Sequence, residues 1–503
     1  MMNKTIENLG SCIDPSADGN KPALIICGGG QGTQTLTYAA LRQKANDIAN
    51  YLQTRGLPHG CAIGILAANH DDYFPVFLGV MLAGFTACPL NWKLNSETLD
   101  HMARDTDIRF LFTDKKRAKK FSTTVEKQIL GEAHYHKDSN KKAIQIASLP
   151  TTDDIACIMF TSGSTGMPKA VPITHSGYLW GIECFQSDAE LMRRTRFLTA
   201  APLFHMNAQC TILLALRYSG TVIVMREFDT DGFLSAIEEF QVTQITGVPT
   251  MMALAMRRLK TSSKPNFSSV EKITLGSAPL SKMLYTEIQT VFPGVEISNG
   301  YGTTETGFVA FGSHPDPTQT TPPSSIGYPR SEVDVRLVGP EAPERGVLEI
   351  KTGMMTKGYI NNPDKTAERF INGYYHTGDI MRRDENGFYY FVEREDDMFV
   401  CGGENIYPAE VELILEKHPD ILQSVVVPIP HATKGEAPVA FIVTRTGHAL
   451  SEKTIKEFAL EHGPAYAHPR RIFFINEVPL ASTGKIDRAN LHTRALELIA
   501  ASS

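Results

Sequence analysis

Thr161-Ser-Gly-Ser-Thr-Gly-Met-Pro-Lys169 is the stretch on which the reading of this chain turns. Thr161 opens it. Gly163 and Gly166 let backbone N–H groups face an anion with no Cβ in the way. Ser162, Ser164 and Thr165 add hydroxyl donors, and Lys169 adds a point charge. Such a loop suits a triphosphate. The P-loop pattern G-x-x-x-x-G-K-[ST] runs straight into a helix, whereas here Met167-Pro168 intervene and the extended Ala170-Val-Pro-Ile173 follows. A GTPase-like reading is set aside on that ground. A plain glycine-serine turn between strands is the alternative that the neighbouring motifs must displace.

Composition bounds the rest. With 503 residues, 42% hydrophobic and 21% charged, the chain is expected to form two or more globular domains with full cores. A net charge of -6 argues against nucleic acid or an anionic membrane surface as partner, since either would lean on basic patches. The eight cysteines are scattered without a C-x-x-C pair, mostly in apolar surroundings, and read as buried thiols of a reducing cytoplasm. No secretory or lipidation signal is legible at either end, and the apolar run Phe77 to Leu90 is too short to span a bilayer, so it reads as a buried helix and strand.

Along the chain, Thr37 is placed to cap a helix whose Leu41, Ala45, Ile48 and Leu52 share one face, with Gly56 beyond its end. Short apolar strands then recur before helical or loop segments: 62–67, 155–160, 221–225, 244–248, 273–275 and 296–298. This alternation predicts an α/β fold of doubly wound, largely parallel sheets in which ligands bind at the carboxyl ends of strands. The lysine-rich stretch 114–142 reads as a solvated insert. From about 312 to 392 short strands with Gly/Pro turns suggest a small β-barrel-like part. A compact α+β unit follows, and the expected division is a 1–395 N-terminal domain and a 396–503 mobile C-terminal domain.

Two further motifs have chemistry legible from their residues. Asn299-Gly-Tyr-Gly-Thr-Thr-Glu305 follows a strand and supplies a ring for a base (Tyr301), hydroxyls for an α-phosphate (Thr303, Thr304) and a hard oxygen donor for Mg2+ (Glu305). Tyr375-His-Thr-Gly-Asp379 places two acceptor oxygens on Asp379, which match the adjacent hydroxyls of a ribose.

Taken together, the 161–169 loop and these motifs resemble the signature of the AMP-forming acyl-CoA synthetases and the wider acyl-adenylate superfamily. Glu393-Arg-Glu-Asp-Asp-Met-Phe-Val-Cys-Gly-Gly-Glu-Asn-Ile-Tyr-Pro-Ala-Glu-Val-Glu412 extends the resemblance, and its pattern is closest to the chlorobenzoate-CoA ligase type. The resemblance covers residues 36 to 488 and implies ATP, Mg2+ and coenzyme A, with a small carboxylic acid as the acyl donor. It also implies residue roles. Asn299, Gly300, Tyr301, Gly302 and Thr303 form the adenylate motif, with Thr304 and Glu305 catalytic. Gly276-Ser277-Ala278 runs beside the adenine, and Arg394 reaches the nucleotide. Asp396 is the hinge, and Gly402 and Gly403 border a pantetheine channel. Lys485, in Pro479-Leu-Ala-Ser-Thr-Gly-Lys485, bridges carboxylate and α-phosphate as charge concentrates in the reacting arrangement.

His205, in Pro202-Leu-Phe-His-Met-Asn-Ala-Gln209, is implied beside the acyl pocket. Trp180, Met206, Val248, Phe308 and Val309 are expected as lining, with the amides of Asn207 and Gln209 favouring a partly polar acid. Three positions depart from the pattern: Glu393 stands for a glycine, Cys401 for a common serine and Ala467 for a lysine. The last leaves His468, Arg470 and Lys93 as contacts for CoA phosphate. The expected reaction is carboxylate, ATP and CoA to acyl-CoA, AMP and pyrophosphate, with the C-terminal domain rotating about Asp396 between half-reactions. Two rivals are a ligase that loads a carrier-protein arm and a catalytically silent nucleotide-binding homologue. A homodimer is carried forward as an assembly that nothing in the sequence specifies.

Overall fold

A computed structural model describes residues 7–122, 124–132, 150–161, 167–260, 265–278, 280–445, 450–479 and 486–502. Contacts divide the chain into two compact units, one of Met1–Val335 with Glu349–His376, the other of Arg336–Leu348 with Thr377–Ser503.

The first unit holds two large sheets. A seven-stranded sheet runs Glu296–Gly300, Lys272–Gly276, Gln244–Gly247, Arg196–Thr199, Thr221–Met225, Pro22–Cys27 and Gln34–Thr37, and its last strand alone is antiparallel. A six-stranded sheet runs Glu126–Ile129, Ile108–Thr113, Ala62–Leu66, Thr86–Pro89, Ile155–Thr161 and Lys169–Thr174, again with an antiparallel strand at its end. Both faces are covered, which explains why the strands read as nearly continuous apolar runs. Leu24 and Ile26 point into a core shared with Ile63, Ile65, Phe110 and Phe112 of the other sheet. Ile25 and Cys27 point the opposite way, into a second core with Ile223, Ile245 and Ile273.

Helices Tyr38–Gln53 and Tyr73–Leu82 fill the shared core. The Thr37 hydroxyl accepts from Ala40 N at 3.2 Å, and Leu41, Ala45, Ile48 and Leu52 are all buried, as the spacing predicts. Tyr73–Leu82 with strand Thr86–Pro89 is the expected buried pair. Its Gly79 is needed for close approach: a Cβ there would lie 2.7 Å from the Ala45 carbonyl and 2.8 Å from Ile48.

Two expectations are corrected. The described part of the 114–142 stretch is no mere solvated insert, because it contributes edge strand Glu126–Ile129 and buries Phe121 to 1% exposure, while Arg117 lies 3.9 Å from the Trp92 ring; residues 133–142 lie outside the described residues. Apolar residues between the lysines supply that docking. Nor do the strands after 312 close into a barrel among the described residues. They form a two-stranded sheet and a five-stranded sheet of Asp334–Val338, Arg345–Lys351, Tyr374–Arg383, Phe370–Ile371 and Tyr389–Arg394. The second unit also carries a sheet built around the long hairpin Ile421–His431 and Gly435–Thr444, flanked by helices Pro408–Leu415, Glu452–His462 and Arg488–Ser502.

Replacing Gly79 by Ala should cost about 1–3 kcal/mol through overpacking. Urea denaturation should show it as a lower midpoint for the first unit's transition.

Candidate active site

Parallel strands put their carboxyl ends on one edge of the seven-stranded sheet. Segment 200–205 leaves strand Arg196–Thr199 there, Val248 leaves Gln244–Gly247, Ser277-Ala278 leaves Lys272–Gly276 and Tyr301–Glu305 leaves Glu296–Gly300. The last two strands approach closely, since Gly276 pairs with Gly300 and a Cβ at Gly276 would sit 2.8 Å from the Gly300 carbonyl. Ser277 then takes a left-handed φ of 66°, a strained conformation for a residue with a Cβ, at the position expected beside adenine. Asn299 is buried, and the Tyr301 ring packs edge-on against Phe311 with centroids 5.8 Å apart.

On the other sheet, Thr161 pairs in register with Lys169, so the 161–169 stretch is a hairpin connection between antiparallel strands. Ser162, Gly163, Ser164, Thr165 and Gly166 lie outside the described residues. At the loop's root the Thr161 hydroxyl is buried with no hydrogen-bond partner among the described residues. A buried, unanswered hydroxyl at the mouth of a glycine-rich loop fits a phosphate oxygen.

Lys169 and Glu305 meet around a residue the sequence reading left out. Tyr359 donates its hydroxyl to Glu305 Oε1 at 2.9 Å, and Lys169 Nζ stands 4.6 Å from the centre of the same ring. Tyr375 approaches Tyr359 oxygen to oxygen at 3.4 Å. Burial lowers the Lys169 ammonium below the ordinary lysine range, and Arg369 and Lys365 add to that, while the Glu305 carboxylate works the other way. Glu305 is 5% exposed. It tops a turn in which the Thr303 hydroxyl accepts from Thr306 N and Gly307 N bonds the Thr303 carbonyl; Thr304 within the turn is half-buried. No cluster of three or more His, Cys, Asp or Glu suited to a metal occurs among the described residues. Glu305 offers a single carboxylate there, a hard oxygen donor.

His205 precedes helix Met206–Arg217, half-buried, with its ring 4.4 Å from Phe204. The segment is pinned by Asn69, another residue the sequence reading missed. Its amide donates to the Ala201 and Met225 carbonyls and accepts from Leu203 N at 2.9 Å.

Of the expected acyl lining, Trp180, Met206, Val248 and Phe308 are half-buried. Phe308 stacks on Phe185 at 5.9 Å, and a Cβ on Gly353 would lie 2.5 Å from the Trp180 indole. Gln209 and Val309 are corrected: both are fully buried in the core. Gln209 donates to the Leu203 carbonyl at 3.0 Å and accepts from Tyr178 at 3.1 Å. Asn207 accepts from Thr246 at 3.0 Å. Protein groups therefore answer Gln209 on both sides and the oxygen of Asn207, which weakens the preference for a polar acid.

In the second unit Asp379 is buried, and Arg394 donates to its Oδ1 at 2.7 Å, to the Thr377 carbonyl at 2.9 Å and to Asp396 at 3.1 Å. One guanidinium thus ties the expected ribose acceptor to the expected hinge. Gly402 and Gly403 turn the hairpin between strands Phe399–Cys401 and Glu404–Ile406, with φ of 63° and 90° that a side chain would strain. Lys485 lies outside the described residues. His468 and Arg470 bond each other, and Ala467 is buried.

The glycine-to-glutamate departure is fully housed. Glu393 is 2% exposed and accepts from Arg394 N at 2.9 Å and from Ala409 N in the first turn of helix Pro408–Leu415. Beside it Arg488 forks Glu412 at 2.6 and 3.0 Å. Burial raises the Glu393 carboxyl to about 7, against the pull of those two backbone donors and of Arg488.

A family model described as AMP-binding enzyme matches residues 14–360, and one for an AMP-binding enzyme C-terminal domain matches residues 410–485. Feruloyl-CoA synthase of Amycolatopsis sp is 31% identical, covering 92% of this chain and 94% of its own. Fatty acid–[acyl-carrier-protein] ligase ScoC of Streptomyces coeruleorubidus is 29% identical, covering 93% of each. The structure of O-succinylbenzoate coenzyme A synthetase (MenE) of Bacillus subtilis, in complex with AMP, superposes with a TM-score of 0.82 at 26% identity, covering 97% of this chain and 98% of that one.

Glu393 holds its proton more tightly in the folded state (about 7) than the ordinary value of 4.5. Its contribution is therefore fully present below pH 4.5 and is lost as pH rises through about 7. Glu393→Gln should leave stability near that of the wild type at pH 4.5 and exceed it increasingly up to pH 8. A gain on the order of 3 kcal/mol is the upper limit, and urea titrations across that range measure it.

Proposed function

The chain belongs to the AMP-binding enzyme family, and we propose that its site activates an aromatic carboxylate as an acyl-adenylate and passes the acyl group to coenzyme A. The reaction class is that of an acid–thiol ligase: carboxylic acid, ATP and CoA give acyl-CoA, AMP and pyrophosphate. The observation that carries the reading is the gathering of Lys169 and Glu305 on Tyr359, with Thr161, whose buried hydroxyl has no partner among the described residues, paired in register with Lys169.

Lys169 and the 161–169 hairpin loop hold the β- and γ-phosphates. Glu305 would hold Mg2+, which when bound offsets phosphate charge. Tyr301 and the 276–278 segment position the base, and Asp379, oriented by Arg394, positions the ribose. A carboxylate oxygen of the acid then attacks the α-phosphorus, and the bond to the departing pyrophosphate breaks. Lys485 meets the charge that concentrates between carboxylate and α-phosphate. In the second half the CoA sulfur attacks the acyl carbon and AMP leaves. The expected C-terminal domain, 396–503, bearing Gly402, Gly403 and Lys485, turns about Asp396 to present first the lysine and then the glycine hairpin. The motif type of the chlorobenzoate-CoA ligases is part of the same proposal.

Aromatic acids are favoured because half-buried Phe308, which follows the 301–305 turn, stacks on Phe185, and Trp180 of helix His175–Glu183 is half-buried too, and because a relative is named for feruloyl-CoA. The ligase named for an acyl-carrier protein supports one second reading, transfer to a pantetheinylated carrier. Thioester yield with each acceptor separates the two. No helix among the described residues is long and apolar enough to cross a membrane.

Lys485→Ala should lower pyrophosphate release by about 10²-fold or more. Asp396→Pro should spare that release and block thioester formation, and equal loss of both steps would contradict the alternation. In a panel of acids, kcat/KM for hydroxylated and plain aryl acids should exceed that for long saturated acids, and a peak on the latter would refute the aromatic assignment.

A further inference from the structure

The turn carrying Glu305 is strapped from one side by segment 352–359. The Thr352 hydroxyl donates to the Thr306 carbonyl at 2.8 Å, Thr356 N donates to the Glu305 carbonyl at 2.9 Å, and Tyr359 donates to the Glu305 carboxylate at 2.9 Å. A tyrosine has one proton to give. Because Tyr359 spends its proton on Glu305, the 3.4 Å contact with Tyr375 is satisfied when Tyr375 donates to the Tyr359 oxygen. Tyr375 also bonds Glu305, so both phenols converge on that carboxylate, beside Phe370, whose ring lies 5.8 Å from Tyr359 and 5.1 Å from Tyr375. Opposite the strap, the face of the Tyr359 ring carries Lys169.

Resting on the reading of Glu305 and Lys169 given above, we infer that Tyr359 is a positioning residue that fixes the metal-binding carboxylate and the phosphate-binding ammonium relative to each other, with Tyr375 orienting its hydroxyl. Without the phenol, Glu305 would lose one of its two tyrosine partners, and a metal–nucleotide complex would have to do more to select its rotamer. With it, one oxygen of Glu305 is tied down and the geometry is set before the ligand arrives. The ring also keeps the two opposite charges apart, so that they remain available to the ligand instead of collapsing onto each other.

Tyr359→Phe tests this, because it keeps the ring beneath Lys169 and deletes the hydroxyl alone. Titration calorimetry of ATP in the absence of acid substrate, run with Mg2+ and again with a chelator, reads the metal-dependent gain in affinity apart from turnover. For Tyr359→Phe that gain should fall about 5- to 20-fold, while affinity for metal-free ATP changes less than twofold. Tyr375→Phe should give a smaller loss of the same kind, and it serves in place of the first variant should that one fold poorly. Glu305→Gln is the control. If Glu305→Gln abolishes the gain and both phenylalanine variants retain it, the positioning role is refuted while the site stands. If Glu305→Gln also retains it, the reading of Glu305 itself fails.

Discussion

The hydrogen bond from Tyr359 to Glu305 organises the site, because it holds a carboxylate and, across one aromatic ring, an ammonium close together without pairing them. A direct ion pair would be the easier arrangement for a buried carboxylate and a half-buried ammonium, and it would leave little for a ligand to answer. Here the phenol takes up part of the hydrogen-bonding demand of Glu305 and the ring face takes up part of the charge of Lys169. Lys169 is paired in register with Thr161, whose buried hydroxyl has no partner among the described residues. A phosphate chain with a hard cation meets all three demands together.

The backbone around this centre is shaped by close approach. Gly276 and Gly300 bring two parallel strands into contact at their carboxyl ends, which throws Ser277 into a strained turn and aims the 301–305 segment along the same edge. The second unit answers a different constraint. Arg394 links Asp379 to Asp396, so the proposed ribose acceptor and the proposed hinge share one guanidinium. The buried Glu393 caps the start of helix Pro408–Leu415 immediately before that hinge. A glutamate in place of a glycine is thus built into the local packing by two backbone donors and by the neighbouring Arg488–Glu412 fork.

The sequence disclosed what is local. Cap, helix face and strand alternation predicted Tyr38–Gln53 and both parallel sheets, and contiguous strings marked the loop at 161–169, the 299–305 turn and Asp379. What it did not disclose depends on partners far away in the chain. Tyr359 reaches Glu305 across 54 residues, and Asn69 reaches the Ala201 carbonyl across 132, so neither has a neighbouring signal to read. Gln209 shows the converse error. Its motif suggested a pocket amide, but the direction of a side chain on a helix is set by packing, and this one turns inward to Tyr178 and Leu203. A lysine-rich stretch likewise reads as surface until Phe121 and Trp92 are found to anchor it.

The central claim is that the acid's own oxygen attacks the α-phosphorus of ATP. An aryl carboxylic acid labelled with 18O in both carboxylate oxygens, turned over with ATP and CoA and analysed by mass spectrometry, tests this directly. The account predicts one labelled oxygen in AMP and none in pyrophosphate. Label in inorganic phosphate alongside ADP, or AMP free of label, would contradict it.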